Sequence, residues 1–453
     1  MKNKHRVGLI RYEKPYASVV RAVEAAGGFG AVGAHTRVFV KPNVVCWTSE
    51  TPFPKWGVIT TTRVVEDVVR CLKEAGVQHI LLGEGLVNLN PKDTGLAERA
   101  FRALGYETLA KRYGVHLVDV FQRPFRKVPL VDGVELAFNV DALDSDCIVN
   151  LPVLKTHAQT VVSLGIKNLK GLIDLASRKR CHSLDTHWNL HRMVAALPKA
   201  LPPTFTLIDG IYSNERGPVF DGTAHRMNVL VASQNVLSAD LVGAALLGYS
   251  AKEVPHLAWA AHDAGRSGDL SDVLIEGASL ESLRRPHAYT FDYNDQGTLP
   301  MAMAAMGIQG VKYRKYDDTL CTYCSFMNGL ILTAVARAWN GTPWNDVEVL
   351  TGKAMTPTPG MKHTILLGRC MTRLHRNNGA IRHPIAVAGC PPKPAEVARA
   401  FHEAGIPVDL SFLESAALYP GRFMKKYAGR PEFDESFYQA DSILRDFPNL
   451  DGF

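Results

Sequence analysis

An α/β fold is what the sequence predicts: an N-terminal, mostly parallel sheet covered by helices, followed by a smaller C-terminal α/β domain. Three observations lead there. Short apolar runs rich in β-branched residues alternate with segments of helical apolar spacing through the first 250 residues, and strands that alternate with helices form a parallel sheet covered on both faces. Several runs, such as Ile148-Val149-Asn150-Leu151, are nearly continuous rather than alternating, the pattern of strands buried on both sides. From Cys321 onwards the alternation resumes, with a cysteine just past each of two strands.

In chain order the predicted strands are Val7–Ile10, Val38–Val40, Ile80–Leu82, His116–Val120, Ile148–Leu151, Phe205–Ile208 and Val229–Ala232. Helical spacing covers Ala17–Ala26, Arg63–Ala75, Thr94–Leu104 and Leu237–Leu247, several of them closed by glycine. Gly83-Glu84-Gly85 and Asp209-Gly210 end two strands, where glycine either admits a ligand close to the backbone or simply turns the chain. Lys41-Pro42-Asn43 and Trp56–Thr61 add polar groups at the same sheet edge. The expected organisation is an α/β domain over 1–280, a linker over 281–320, a cysteine-rich domain over 321–410 and an aromatic wrap over 411–453. Within the third segment a helix is predicted over Phe326–Trp339. Strands follow at Val347–Leu350, Thr364–Cys370 and Ile385–Cys390, then a helix from Pro394 to Phe401.

A chain of 453 residues with 46% hydrophobic and 21% charged residues has the composition of a soluble globular protein. Its net charge of +7 is spread along the chain, which points to a small anionic substrate or an acidic protein partner and away from nucleic acid. The N-terminal apolar run is too short for a signal peptide and no stretch approaches a membrane span, so a cytoplasmic location is expected. In a reducing compartment the eight cysteines are expected to be thiols, metal ligands or redox groups rather than disulfides. Neither a GxGxxG fingerprint nor a Walker loop occurs, which leaves nicotinamide and nucleotide cofactors unsupported. Homo-oligomerisation stays open.

The chemistry is expected in Ser145–His191. Past the predicted strand come Lys155, His157, Lys167, Lys170, Arg178, Lys179, Arg180, His182, His187 and His191, with only Asp174 and Asp185 as acids among them. Ligands of open α/β sheets bind beyond the carboxyl ends of the strands, so this run is placed to meet an anion. Lysines interleaved with Leu164-Gly165-Ile166 and Gly171-Leu172-Ile173 are not needed on a merely solvated face. His157, Lys167 and His182 are the candidate catalytic groups, imidazole titrating nearest neutral pH. Lys41, Asn43, Glu84, Lys155 and Lys170 are the candidate substrate-binding residues. His187 and His191, four apart, read as a surface or core pair rather than a metal site.

Cys321-x-x-Cys324 presents two thiols from one turn, and Cys370 and Cys390 follow separate strands. Four convergent thiolates suit either zinc or a cubane iron–sulfur cluster. Zinc ribbons pair two C-x-x-C knuckles, whereas the second pair here is split, which favours a [4Fe–4S] cluster with zinc as runner-up. Gly389-Cys390-Pro391-Pro392-Lys393-Pro394 resembles the signature around a cluster ligand in the small subunit of complex I and nickel–iron hydrogenases, and Gly368-Arg369-Cys370 is similar to that family's glycine-x-cysteine turn. Cys71 and Cys147 read as packing residues, Cys46 shows no pattern, and Cys181 beside His182 is a candidate reactive thiol.

Residues across 5–260 resemble the family known as domain of unknown function 362, iron–sulfur cluster-binding proteins. The likeness is carried by Lys41-Pro42-Asn43, Gly57–Thr60, Gly83-Glu84-Gly85, Leu151–His157, Lys167–Gly171, Asp209-Gly210, Gly217-Pro218, Ala232-Ser233 and Asp240. The resemblance implies this architecture and a cluster-binding C-terminal part. A fainter likeness, to the nickel-pincer lactate racemase, rests on His157 lying ten residues before Lys167, with His182 following. It implies a common acid/base arrangement. Together these readings predict an iron–sulfur oxidoreductase acting on a small anionic substrate, with a ferredoxin as electron partner. The alternatives are a redox-neutral racemase, lyase or dehydratase with a structural cluster, and a carrier that delivers a cluster or electrons to another protein.

Overall fold

The computed structural model describes residues 4–88, 93–130 and 133–440. The end of the predicted wrap, 441–453, lies outside the described residues. The chain divides into two units, the first built from residues up to 177 with 191–289 and the segment from 423, the second from 178–190 and 290–422.

The first unit begins with strands β1 (His5–Arg11), β2 (Arg37–Pro42), β3 (His79–Glu84) and β4 (His116–Asp119). A separate antiparallel hairpin follows, β5 (Phe125–Pro129) with β6 (Glu135–Asn139). Then come β7 (Cys147–Leu151), β8 (Val153–His157), β9 (Val161–Ser163), β10 (Thr204–Glu215), β11 (Thr223–Ser233) and β12 (Val273–Gly277). The sheet order is β12-β1-β11-β10-β7-β2-β3-β4, with β8 and β9 attached to the far half of β10. Every neighbouring pair on the main path is parallel except those of β11, which runs antiparallel to both β1 and β10. Val38, Phe39 and Val40 of β2 and Ile148, Val149 and Leu151 of β7 are closed to solvent, as their continuous apolar runs require when helices cover both faces.

All seven N-terminal strands and all four helices expected from the pattern are present, with ends shifted by a few residues. Helix Thr62–Glu74 starts where Thr61 caps the Val64 N–H, and it buries Val64, Val65, Val68, Val69 and Leu72. Helix Val236–Leu246 is capped by Asn235 and buried almost all round. The pattern did not reveal β8 and β9. Pro152 lacks an N–H and breaks the apolar run, yet the chain resumes at once as β8, pairing with β10 across an irregularity between Asp209 and Asn214. Lys155 and His157 therefore sit on a strand rather than on a loop past one.

The second unit carries a four-stranded parallel sheet in the order β13-β14-β15-β16, formed by Val311–Tyr313, Val347–Leu350, His363–Leu367 and Pro384–Val387. Helix Thr322–Arg337 lies between β13 and β14 in sequence, and helix Pro394–Glu403 follows β16. The stretch 281–320, expected to be a linker, instead contains helix Met301–Ala305 and supplies β13. Its proline and polar content hid a three-residue edge strand whose Val311 and Tyr313 are buried. Residues 178–190 also group with this unit, and the expected C-terminal wrap is divided between the two. Its portion from 423 packs aromatic rings within the first unit: Trp56 meets Tyr427 and Phe433 at centroid distances of 5.2 and 5.5 Å, and Tyr212 stacks on Phe433 at 5.9 Å.

Candidate functional sites

In the first unit the carboxyl ends of β2, β3 and β7 meet the turn Gly165–Leu172. Lys41, last but one in β2, is fully buried and donates to Glu84 Oε2 at 2.7 Å, to the Pro42 carbonyl at 2.8 Å and to Asn168 Oδ1 at 3.0 Å. Glu84, at the end of β3, also accepts from the backbone N–H groups of Val44 and Gly85. Asn43 donates to Asn168 Oδ1 at 2.9 Å and accepts from Lys155 Nζ at 2.6 Å. Lys155 further donates to the Val58 carbonyl at 3.0 Å, and Asn168 donates to Asn150 Oδ1 at 2.8 Å. Burial pulls the Lys155 amine down to about 7.

Of the five residues expected to bind substrate, Lys41, Asn43, Glu84 and Lys155 are thus bound to one another inside the protein. Their geometry fixes the strand ends and the following turn. Lys170, also buried, lies on that turn. Gly171 closes the network: a Cβ there would lie 2.5 Å from Glu84 Oε1 and 2.6 Å from Lys41 Nζ. Asp240 holds the turn from the opposite side, accepting the N–H groups of Gly165 at 2.7 Å and Ile166 at 2.8 Å. Burial raises its carboxyl to about 7.

Lys167 stands just beyond that clamp, half-buried, with its Nζ 3.3 Å from His157 Nε2. The Gln159 N–H donates to His157 Nδ1 at 3.1 Å. Nδ1 is thereby an acceptor, and Nε2 is the ring nitrogen that faces the Lys167 amine. The structure brings together two of the three expected catalytic groups. The third, His182, folds with the second unit, where its Nδ1 lies 2.7 Å from the Asp318 carbonyl and its own carbonyl accepts from Lys353. His187 and His191 share no helix: His187 lies in a turn bonded to Asp185, ahead of helix Leu190–Ala196.

The second unit gathers the four candidate cysteine ligands. Cys321 is the N-cap of helix Thr322–Arg337 and Cys324 lies in its first turn. Cys370 lies in the first turn of helix Arg369–Leu374, just past β15, and Cys390 follows β16. Hydrogen bonding from the Cys324 thiol, with help from the backbone N–H groups of Cys324 and Tyr323, lowers Cys321 to about 5; the same contact pushes Cys324 strongly upward. Cys321, Cys370 and Cys390 all lie near enough for their charges to act on Cys324. Two glycines sit on the backbone beside Cys370 and Cys390. A Cβ on Gly368, whose φ is 93°, would reach Cys324 Sγ at 3.4 Å, and one on Gly389 would meet the Pro391 carbonyl at 2.5 Å. Among the described residues no three His, Cys, Asp or Glu side chains close to the spacing of a single metal ion.

The remaining cysteines are buried or half-buried. Burial pushes Cys46 and Cys71 up to about 12 and Cys147 to about 11, as inert thiols. Cys181 is fully buried at the end of helix Leu175–Cys181.

Sequence reasoning did not single out Asn150, Asn168 and His256 as site residues. A lone Asn inside the apolar run of β7 was a signal, since a polar side chain in a strand buried on both faces needs a partner. His256 gave none.

The fold and these sites define an α/β protein with a buried polar centre at its strand ends and a group of four thiols in a second α/β unit. Residues 38–245 match the family described as "Domain of unknown function (DUF362)", so the resemblance carried by the motifs holds over that span. A thylakoid-associated protein of Synechocystis sp. is 28% identical over 247 residues, covering 53% of this chain and 73% of that protein. Among solved structures, the lactate racemase apoprotein from Thermoanaerobacterium thermosaccharolyticum aligns with a TM-score of 0.34 and 18% identity, over 54% of this chain and 58% of that one. A protein from Thermotoga maritima aligns with a TM-score of 0.27 and 12% identity, over 50% and 58%. The chain spans less than two thirds of either solved structure. Among the described residues no helix is long and apolar enough to cross a membrane.

Proposed function

We propose that the protein is an iron–sulfur oxidoreductase acting on a small anionic substrate, with Cys321, Cys324, Cys370 and Cys390 as ligands of a [4Fe–4S] cluster. The observation that carries this reading is that Cys321, Cys370 and Cys390 all lie near enough to Cys324 for their charges to act on it. One C-x-x-C turn with two cysteines from separate strand ends suits a cluster better than the paired knuckles of a zinc ribbon. Such a cluster supplies one-electron transfer.

The substrate end is assigned to Lys167 and His157, with Lys170 beside them. Lys167 attracts the anion as a point charge, and His157 Nε2 is the atom at which a proton is held or passed. Lys41, Asn43, Glu84, Lys155 and Asp240 position these groups. The bonded His157–Lys167 pair also favours a second reading, a redox-neutral acid/base enzyme in which the cluster is structural.

A ferredoxin is the electron partner that best suits the charge. Residues 349–395 hold seven Lys or Arg and no Asp or Glu, and Cys370 in their midst is exposed. An acidic surface is therefore steered to the thiol nearest solvent. A cytoplasmic location, in which the eight cysteines stay reduced, fits this reading.

The test is anaerobic purification with measurement of iron, acid-labile sulfide and zinc. About four irons and four sulfides per chain, lost in Cys390→Ser, are expected. One zinc without sulfide would overturn the redox reading, and turnover that survives cluster loss would select the redox-neutral one.

A further inference from the structure

His256 is closed to solvent at 0% exposure, and among the described residues neither of its ring nitrogens has a hydrogen-bond partner. A buried polar group left unsatisfied destabilises the fold, and a leucine would fill the same space without that cost. Packing alone therefore gives no reason for a histidine.

Its surroundings supply one. His256 lies in the first turn of helix Pro255–Asp263, directly after the proline, where the helix presents its positive end. The charges that reach it are those of His191 and Lys167, and burial, the largest influence, holds the ring neutral. Lys167 and His191 are half-buried, His157 is nearly closed and His256 is fully closed to solvent. The Lys167 amine supplies a positive charge, and a neutral imidazole can add an N–H donor, a combination that favours an anion. A cation is disfavoured by the same sign, and no three of the described imidazoles and acids are disposed to hold a metal ion.

We propose that His256 is the inner anchor of an oxyanion site whose rim is Lys167 and His191, binding a carboxylate or phosphate group by an imidazole N–H. The assignment deepens the small-anion reading and rests on it. One ring nitrogen donates to the oxyanion while Lys167 supplies the charge, which leaves His157 Nε2 beside the rest of the bound molecule.

The test uses full-length protein labelled at histidine, with ring resonances followed by NMR during titration with acetate, lactate and inorganic phosphate at constant ionic strength. The His256 signal is identified by its absence in His256→Gln. Saturable movement of that signal is expected, with affinity weakened at least about tenfold in His256→Gln. His256→Leu should melt no lower than the native protein yet lose the rise in melting temperature that the anion gives. Preference for acetate and lactate or for phosphate identifies the group bound. Movement at His157 with His256 unmoved, and unaltered binding by His256→Gln, would overturn the anchor and leave the substrate reading intact. Absence of saturable binding by any of the three probes would overturn both. Should His256→Leu fail to fold, the native titration and His256→Gln decide.

Discussion

Lys41 Nζ lies 2.7 Å from Glu84 Oε2, and both side chains are closed to solvent, at 1% and 2% exposure. The pair ties the carboxyl ends of the neighbouring strands β2 and β3. Removing one partner of such a pair leaves a buried charge uncompensated, at a cost of about 3–5 kcal/mol. Glu84→Gln is therefore expected to lower the denaturation midpoint sharply. The double variant Lys41→Met with Glu84→Leu should recover a good part of that loss; a double variant as unstable as the sum of both singles would contradict the coupling.

Gly171 is a steric prediction. Alanine there drives a methyl against Glu84 Oε1 and Lys41 Nζ, polar ends that cannot move without breaking their bond. Overpacking of this kind costs about 1–3 kcal/mol, and it should appear in the melting temperature and in turnover together. Unaltered stability of Gly171→Ala would show that the pair is more yielding than its bonds imply.

Lys155 makes stability depend on pH. Burial brings the folded amine to about 7 from its ordinary 10.5. Between those values the unfolded chain binds more protons than the folded one, so stability rises with pH across that window. Below about 7 both states carry the proton and the contribution is flat. Lys155→Met should abolish the rise between pH 7 and 10 in denaturation measured at several pH values, whatever its effect on stability at pH 7. A slope that survives the substitution would assign the dependence elsewhere.

Gly368 has a φ of 93° and a ψ of 158°, a region that side chains other than glycine enter at about 1–3 kcal/mol. A valine there also fills the space beside Cys324 Sγ. Gly368→Val is expected to lower bound iron per chain while Gly379→Val, on open surface, leaves it unchanged. Equal iron in both proteins would remove Gly368 from the proposed cradle.

Asp240 caps the turn that carries Lys167 through two backbone bonds. Asp240→Ala leaves two buried N–H groups unpaired, at about 1–3 kcal/mol each, and releases the lysine. A fall in substrate affinity larger in Asp240→Ala than in Asp240→Asn, which keeps one acceptor, is the expected outcome in steady-state kinetics.

Much of this was legible in the chain. Continuous apolar runs fix β2, β7 and β10 because a strand covered on both faces has no solvent side to encode. Thr61 and Asn235 mark helix starts through their own capping bonds. The cysteine spacing singled out Cys321, Cys324, Cys370 and Cys390, all of which fall in the second unit. Other features are set by partners distant in sequence. Lys41 and Lys155 are lysines among lysines until Glu84 and Asn43, 43 and 112 residues away, take up their charge. Val311–Tyr313 becomes a strand only because β14 offers it an edge. The spacing that groups His182 with His157 spans 25 residues, and within it the chain leaves one unit for the other at residue 178. Local patterning determined which segments become strands and helices, because periodicity and capping act within a few residues. Tertiary structure decided which charges are neutralised and which histidine is left without a partner, because electrostatics and burial act across space.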